Sequence, residues 1–116
     1  MNNQGNIELL KVWRYMAEAI RKSHMSHEWR RDKMFILSAM MLHRMKYITD
    51  SDVLDAIAAL EEVLMFLRTG EFLTHTEVKN GLSLFVLMCD IQIDLWSPKP
   101  ASFAKAMAEE LDELPF

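Results

Sequence analysis

Three histidines lie in the first half of the chain at spacings that suit a metal site on a helix. His24 and His27 are three residues apart, and His43 follows further along. Zinc, however, requires three or four ligands in a defined shell, and the single cysteine, Cys89, stands at no matching spacing. Apolar residues flank Cys89, and nothing near it in sequence would lower its pKa. We therefore expect a buried cysteine, no metal site and no cofactor.

Two acidic pairs are the other residues that could do chemistry, namely Glu61 with Glu62 and Asp90 with Asp94. The all-helical nucleotide pyrophosphohydrolases hold magnesium with such pairs. In that family a further carboxylate lies three residues after the first pair, but this chain has Met65 there. The two carboxylates of the family's second pair are three residues apart, whereas Asp90 and Asp94 are four apart. The chain also lacks a glycine-rich phosphate loop and a nucleophile beside a base. We therefore expect no catalytic residue.

Charge is divided unevenly along the chain. Residues 1–48 contain nine Lys or Arg and four Asp or Glu, a net charge of +5, whereas residues 49–116 contain four and thirteen, a net charge of −9. The whole chain has a net charge of −4 and a pI near 5.5. Two interpretations stay open: the two halves neutralise each other within the fold, or one of them is a binding face.

The acidic half contains the residues that we assign to partner binding. Surface carboxylates attract a basic partner and can occupy a site that otherwise holds nucleic acid, as in small acidic inhibitors of nucleases and of nucleic-acid-guided complexes. We predict a protein-binding acidic face formed by Asp50, Asp52, Asp55, Glu61, Glu62, Glu109, Glu110, Asp112 and Glu113.

The basic half supports an alternative hypothesis, in which the chain is a regulator associated with nucleic acid. Lys and Arg side chains along a helix can follow a phosphate backbone, and an aromatic ring offers a stacking surface. The acidity of the whole chain opposes this hypothesis. The candidate residues for such a face are Trp29, Arg30, Arg31, Lys33, Arg44 and Lys46.

Methionine is frequent, with ten in 116 residues. Its unbranched side chain adapts to irregular partners as well as to irregular cores. Because the chain is 51% hydrophobic, its apolar residues can exceed what one small core hides. We predict an apolar interface, in a homodimer or with another protein, that contains Met34, Met40, Met41 and Met45.

The elements that would position these residues are helices. Apolar residues recur at three- and four-residue spacing in five segments, and no segment alternates as a strand does. Ser26 and the patterns beginning at Thr49 and Thr74 predict helix starts. Gly70 after Arg68 predicts a left-handed helix end. The predicted helices span residues 6–22, 27–47, 50–68, 75–96 and 101–113, after a flexible tail at 1–5.

These segments predict an all-α protein, a single compact domain of about five helices that is bundle-like or orthogonal. Apolar residues nearly encircle the segment from Leu82 to Trp96, which places the fourth helix at the centre. The polar start and the interrupted apolar segments predict a cytoplasmic protein with no membrane span. We expect a non-catalytic interaction module, such as a small inhibitor, immunity or adaptor protein of the kind that mobile elements and phages encode.

Overall fold

The computed structural model describes residues 3–98, and most of them lie in four α-helices. The helices are α1 (Gln4–Lys22), α2 (His27–Met45), α3 (Ser51–Thr69) and α4 (His75–Trp96). No strand occurs between residues 3 and 98. The prediction of an all-α protein is confirmed for residues 3–98, which contain four helices at the positions of the first four of the about five predicted. The predicted helix at 101–113 lies outside the described residues, and so do Glu109, Glu110, Asp112 and Glu113 of the predicted acidic face.

Helices α2 and α4 begin where a side chain satisfies the free amide groups of the first turn. Ser26 Oγ accepts a hydrogen bond from the amide of Trp29 at 3.1 Å. Thr74 and Glu77 form the predicted capping box. In it, Thr74 Oγ1 accepts a bond from the Glu77 amide at 3.1 Å, and Glu77 Oε1 accepts one from the Thr74 amide at 3.4 Å. Local side-chain chemistry therefore sets both starts.

Both ends of α3 differ from the prediction. The cap is Asp50 rather than Thr49, because Asp50 Oδ1 accepts hydrogen bonds from two amides of the first turn at 2.9 and 3.2 Å. Gly70 ends the helix at φ −76°, outside the left-handed region. A Cβ at this glycine would lie 2.6 Å from Leu73 Cδ1 and 3.0 Å from the Phe66 carbonyl oxygen, so the half-buried leucine side chain would have to shift to accommodate it.

Each helix packs against two others, which gives a bundle-like arrangement. α1 packs on α4 and α2, and α3 packs on α2 and α4. The apolar stripes of all four helices meet in one core, whose largest fully buried side chains are Trp13 and Phe85. The core also buries Leu10, Met34, Leu37, Met41, Ile57, Leu60, Leu64 and Leu82.

The helices described between residues 3 and 98 do not enclose α4, which was predicted to be central in a domain whose last predicted helix lies outside the described residues. With α1 and α3 as its neighbours, these helices cover only one side of α4. That side buries Val78, Leu82, Phe85, Val86 and Cys89. A second apolar stripe of the same helix is exposed, and it consists of Leu84, Leu87, Ile91 and Leu95. None of the described helices is both long enough and apolar enough to cross a membrane.

Opposite charges collect on opposite sides of the bundle. α1 and α2 are neighbours and together contain eight Lys or Arg and four Asp or Glu, a net charge of +4. α3 and α4 are neighbours and contain two and seven, a net charge of −5. Arg14 and Asp90 form an ion pair between the two sides, with Nε and Oδ1 2.5 Å apart. Other ion pairs lie within one helix: Lys11–Glu8, Arg21–Glu18, Lys22–Glu18 and Arg68–Glu61.

Candidate interaction surface on α3 and α4

Arg30, a member of the predicted nucleic-acid face, points into the protein and is only 3% exposed. Its Nη2 donates a hydrogen bond to the Ser23 carbonyl, and its Nε donates one to the Ile20 carbonyl at 3.4 Å. Its Nη1 lies 2.8 Å from Nδ1 of His75. The two carbonyls belong to the C-terminal end of α1, which is the negative end of the helix dipole. Arg30 thus joins α1, α2 and the start of α4.

His27 and His75 pack edge to face beside this guanidinium, with ring centroids 5.0 Å apart. Desolvation, followed by the positive potential of His75, Arg31 and Arg30, lowers the pKa of His27. Nδ1 of His27 and Nε of Arg31 are both buried without a hydrogen-bond partner among the described residues. No group of three potential metal ligands occurs within residues 3–98. The histidine pair lies where the starts of α2 and α4 meet.

The other members of the predicted basic face are spread along α2. Trp29 and Arg31 are half-buried, and the ammonium group of Lys33 lies 5.5 Å from the centroid of the Trp29 ring. Arg44 is exposed, as is Lys46, but Arg44 is fifteen residues after Trp29, about 22 Å along the helix. The fold does not bring the six residues together in one surface.

Glu61, assigned from sequence to the acidic face, is 7% exposed and lies between α2 and α3. Its Oε1 accepts a hydrogen bond from Ser38 Oγ and lies 3.9 Å from Arg68 Nη2. Arg68 Nε also donates a bond to Ser38 Oγ at 3.3 Å. A buried carboxylate is tolerated when it is paired and hydrogen-bonded, as here. Ser38 is 1% exposed, so this cluster links two helices and offers no accessible nucleophile.

Three other members of the predicted acidic face stand together on α3. Asp52, Asp55 and Glu62 are exposed and follow one stripe of the helix, with the exposed Ala59 between the last two. Asp50 is half-buried, and its carboxylate is engaged in capping α3. We refer to Asp52, Asp55 and Glu62 as the acidic edge.

An apolar groove runs between α3 and α4 beside the acidic edge. Its larger part has a volume of about 500 Å³, and a second, smaller depression adjoins it at Ala59. Glu62 and Glu77 are the charged residues that line it, and neither Lys nor Arg is among the described lining residues. We call this the α3–α4 groove. Its apolar lining consists of Ala56, Ala59, Leu60, Val63, Phe66, Leu67, Leu73, Gly81, Leu84, Met88 and Ile91.

Small residues shape the α3–α4 groove in two ways. Ala56 and Ala59 line it from α3 with single methyl groups. On α4, a Cβ at Gly81 would lie 2.2 Å from Leu67 Cδ2, so the backbone of α4 passes directly over that side chain. From sequence, Gly81 was expected only to weaken the first turns of the fourth helix and the two alanines carried no prediction, because their role depends on how two helices cross. The sequence offers one signal for such a groove: small residues, such as Ala56 and Ala59 of α3 and Gly81 of α4, among the larger side chains of each helix.

The four methionines of the predicted apolar interface do not form one surface. Met34 and Met41 are fully buried in the core, Met45 is half-buried and packs against the core, and Met40 is exposed. Cys89 is fully buried, as predicted, and burial raises the pKa of its thiol to about 12. A thiol held in this state is a poor nucleophile.

Comparison of the chain with protein-family models, with curated proteins and with solved structures found no significant match to any of them.

Proposed function

We propose that this chain is a non-catalytic protein–protein interaction module that binds a basic partner through the acidic side of the bundle. One observation carries the proposal: the acidic edge borders an apolar groove and the exposed apolar stripe of α4. Such a surface suits an inhibitor, an immunity protein or an adaptor, each of which acts by binding another protein.

The two components of this surface have different physical roles. Exposed carboxylates contribute little to fold stability but speed the encounter with a positively charged partner. Apolar area supplies the affinity once the surfaces meet, at roughly 25 cal/mol per Å² removed from water before the costs of association. In the exposed stripe of α4, Leu87 is 54% and Ile91 is 53% exposed, so the area that a partner can cover is substantial.

The test is a pull-down of the tagged full chain from its native host, with and without nuclease treatment, followed by mass spectrometry. A variant with Asp52→Lys, Asp55→Lys and Glu62→Lys reverses the acidic edge. The control reverses three exposed carboxylates on the other side of the bundle, with Glu8→Lys, Glu28→Lys and Asp32→Lys.

We expect a stoichiometric protein that survives nuclease, is lost with the acidic-edge variant and is retained by the control. Loss with both variants, or with neither, would contradict the proposal. Recovery of nucleic acid alone, released as salt rises, would favour the basic helices as the binding surface instead.

A further inference from the structure

We infer that the α3–α4 groove receives an amphipathic helix of the partner, with Lys or Arg residues on the flanks of the helix's apolar stripe. This inference rests on the proposed function and specifies the chemistry of the bound segment. It follows from the length of the groove, the size of its lining residues and the sign of its charges.

The length of the groove suits a short helix. Its lining residues on α3 extend from Ala56 to Leu67, and those on α4 extend from Glu77 to Gln92. At 1.5 Å per residue these stretches measure about 16 and 22 Å, which is three to four helical turns. A partner helix of about 14 residues would therefore span the groove and present apolar anchors at helical spacing.

The lining residues form depressions and projections that a partner helix can pack against. The methyl groups of Ala56 and Ala59 leave a shallow floor between larger side chains, including Phe66 and Leu84. Phe66 is 65% exposed, so its ring is available to a partner. Large side chains of an incoming helix would enter over the alanines and contact the aromatic ring, as in other helix-in-groove complexes.

The charges select a basic helix. Glu62 and Glu77 line the groove from opposite helices, and Asp52 and Asp55 extend the acidic edge beyond it. Carboxylates on both walls attract Lys and Arg on both flanks of a bound helix and repel an acidic one. The chain's own segment 101–113, with four carboxylates and one lysine, has the wrong charge for this site.

The experiment is an NMR titration of the ¹⁵N-labelled full chain with three synthetic peptides of about 14 residues. The first carries Leu at positions i, i+3, i+4 and i+7 and Lys elsewhere. The second has the same composition in scrambled order without an apolar stripe, and the third has Glu in place of Lys. Ala59→Arg fills the floor of the groove, and Ala39→Arg places the same side chain at an exposed alanine of α2.

We expect saturable shifts confined to the groove, with amides such as Ala56, Val63 and Leu84 affected most. The striped basic peptide should bind about tenfold more tightly than the scrambled one, and the Glu peptide should not bind. Ala59→Arg should weaken binding about tenfold and Ala39→Arg should leave it unchanged. Circular dichroism of both variants checks that the helices are retained.

Three outcomes would overturn the inference. Equal affinity for striped and scrambled peptides would mean that charge alone attracts them, and shifts on α1 and α2 would place the site elsewhere. Failure of Ala59→Arg to weaken binding would remove the groove. The proposed function has its own test: it fails if the pull-down finds no protein partner that depends on the acidic edge. Failure of the inference and failure of the proposed function can therefore be distinguished.

Discussion

Arg30 shows how a charged residue can serve the fold of this protein. Its guanidinium is bonded to two carbonyls at the C-terminal end of α1 and to the imidazole of His75. Arginine has only donors, so Nη1 of Arg30 donates to His75 Nδ1 in the tautomer that leaves this nitrogen without a proton. The planar group reaches the three acceptors with three different nitrogens, Nε, Nη1 and Nη2, whereas a lysine has a single nitrogen.

Replacing Arg30 with Met keeps the length of the apolar stem but removes these hydrogen bonds. We expect the free energy of unfolding to fall by about 2 kcal/mol, because the Ser23 carbonyl and His75 Nδ1 lose a charged donor. Urea denaturation followed by far-UV circular dichroism measures this change. The matched control is Arg31→Met. Nε of Arg31 has no hydrogen-bond partner among the described residues, so this substitution should lower the free energy of unfolding by less than about 0.5 kcal/mol. Equal losses for the two variants would contradict the assigned role.

The burial of Arg30 and Glu61 could have been predicted from their positions. Arg30 precedes Met34 by four residues and Leu37 by seven, which puts it on the apolar stripe of α2. Glu61 precedes Leu64 by three and follows Ile57 by four, on the apolar stripe of α3. Both residues were assigned to surfaces because of their charge. Their positions on the apolar stripes bury them instead, and hydrogen bonds to Arg30 and Glu61 make that burial possible.

At the scale of elements, two of the caps that depend on neighbours in the chain were predicted, whereas both ends of α3 and the features that depend on helix packing were not. The caps at Ser26 and Thr74 follow from local hydrogen bonding, so their residue types were sufficient evidence. The α3–α4 groove depends on the distance and crossing of two helices, and periodicity contains no such information. The close passage of α4 over Leu67 at Gly81 belongs to this second class.

Substituting Ala for Gly81 tests that close passage. Alanine favours a helix over glycine by about 1 kcal/mol, but the new Cβ would lie 2.2, 2.9 and 3.0 Å from three atoms of the buried Leu67 side chain. Overpacking of this kind lowers the free energy of unfolding by about 1 to 3 kcal/mol. We expect a net loss of about 1 kcal/mol in the free energy of unfolding, measured by urea denaturation.

Gly5→Ala is the control for this substitution, because a Cβ at Gly5 in α1 meets nothing within 4 Å. It should leave stability unchanged or raise it by up to about 1 kcal/mol. If Gly81→Ala stabilised the protein as much as Gly5→Ala, Leu67 would have room to move, and the tight contact between α3 and α4 would be wrong.

At the scale of the whole molecule, the fold decides how the two charged halves of the sequence are used. The two halves pack against each other through their apolar stripes. As a result, α1 and α2 form one side of the bundle, and α3 and α4 form the other. Arg14 and Asp90 bridge the sides, but the acidic edge stays exposed. Sequence alone left open whether the halves neutralise each other, because charge along a chain does not give the order of helices around a bundle.

The same arrangement concentrates positive groups where three helices meet, and this makes stability depend on pH. Desolvation together with His75, Arg31 and Arg30 lowers the pKa of His27 below 6.5 in the folded protein. The unfolded chain therefore binds more protons than the native one as pH falls through 6.5, so the free energy of unfolding decreases there. The loss is complete once pH is below the native pKa. Urea midpoints measured from about pH 7.5 to pH 5 should show this decline.

Two variants separate His27 from the carboxylates. His27→Gln should flatten the profile above about pH 5, because the titrating imidazole is gone. Glu18→Gln should lower the free energy of unfolding evenly above about pH 4.5 and change the shape of the profile only below it: the bond from Arg21, followed by the charges of Arg21 and Lys22, lowers the pKa of Glu18 below 4.5. That stabilisation is present above 4.5 and is lost as pH falls through the lower native pKa. A decline near pH 6.5 that persisted in His27→Gln would show that another group at the junction takes up the proton.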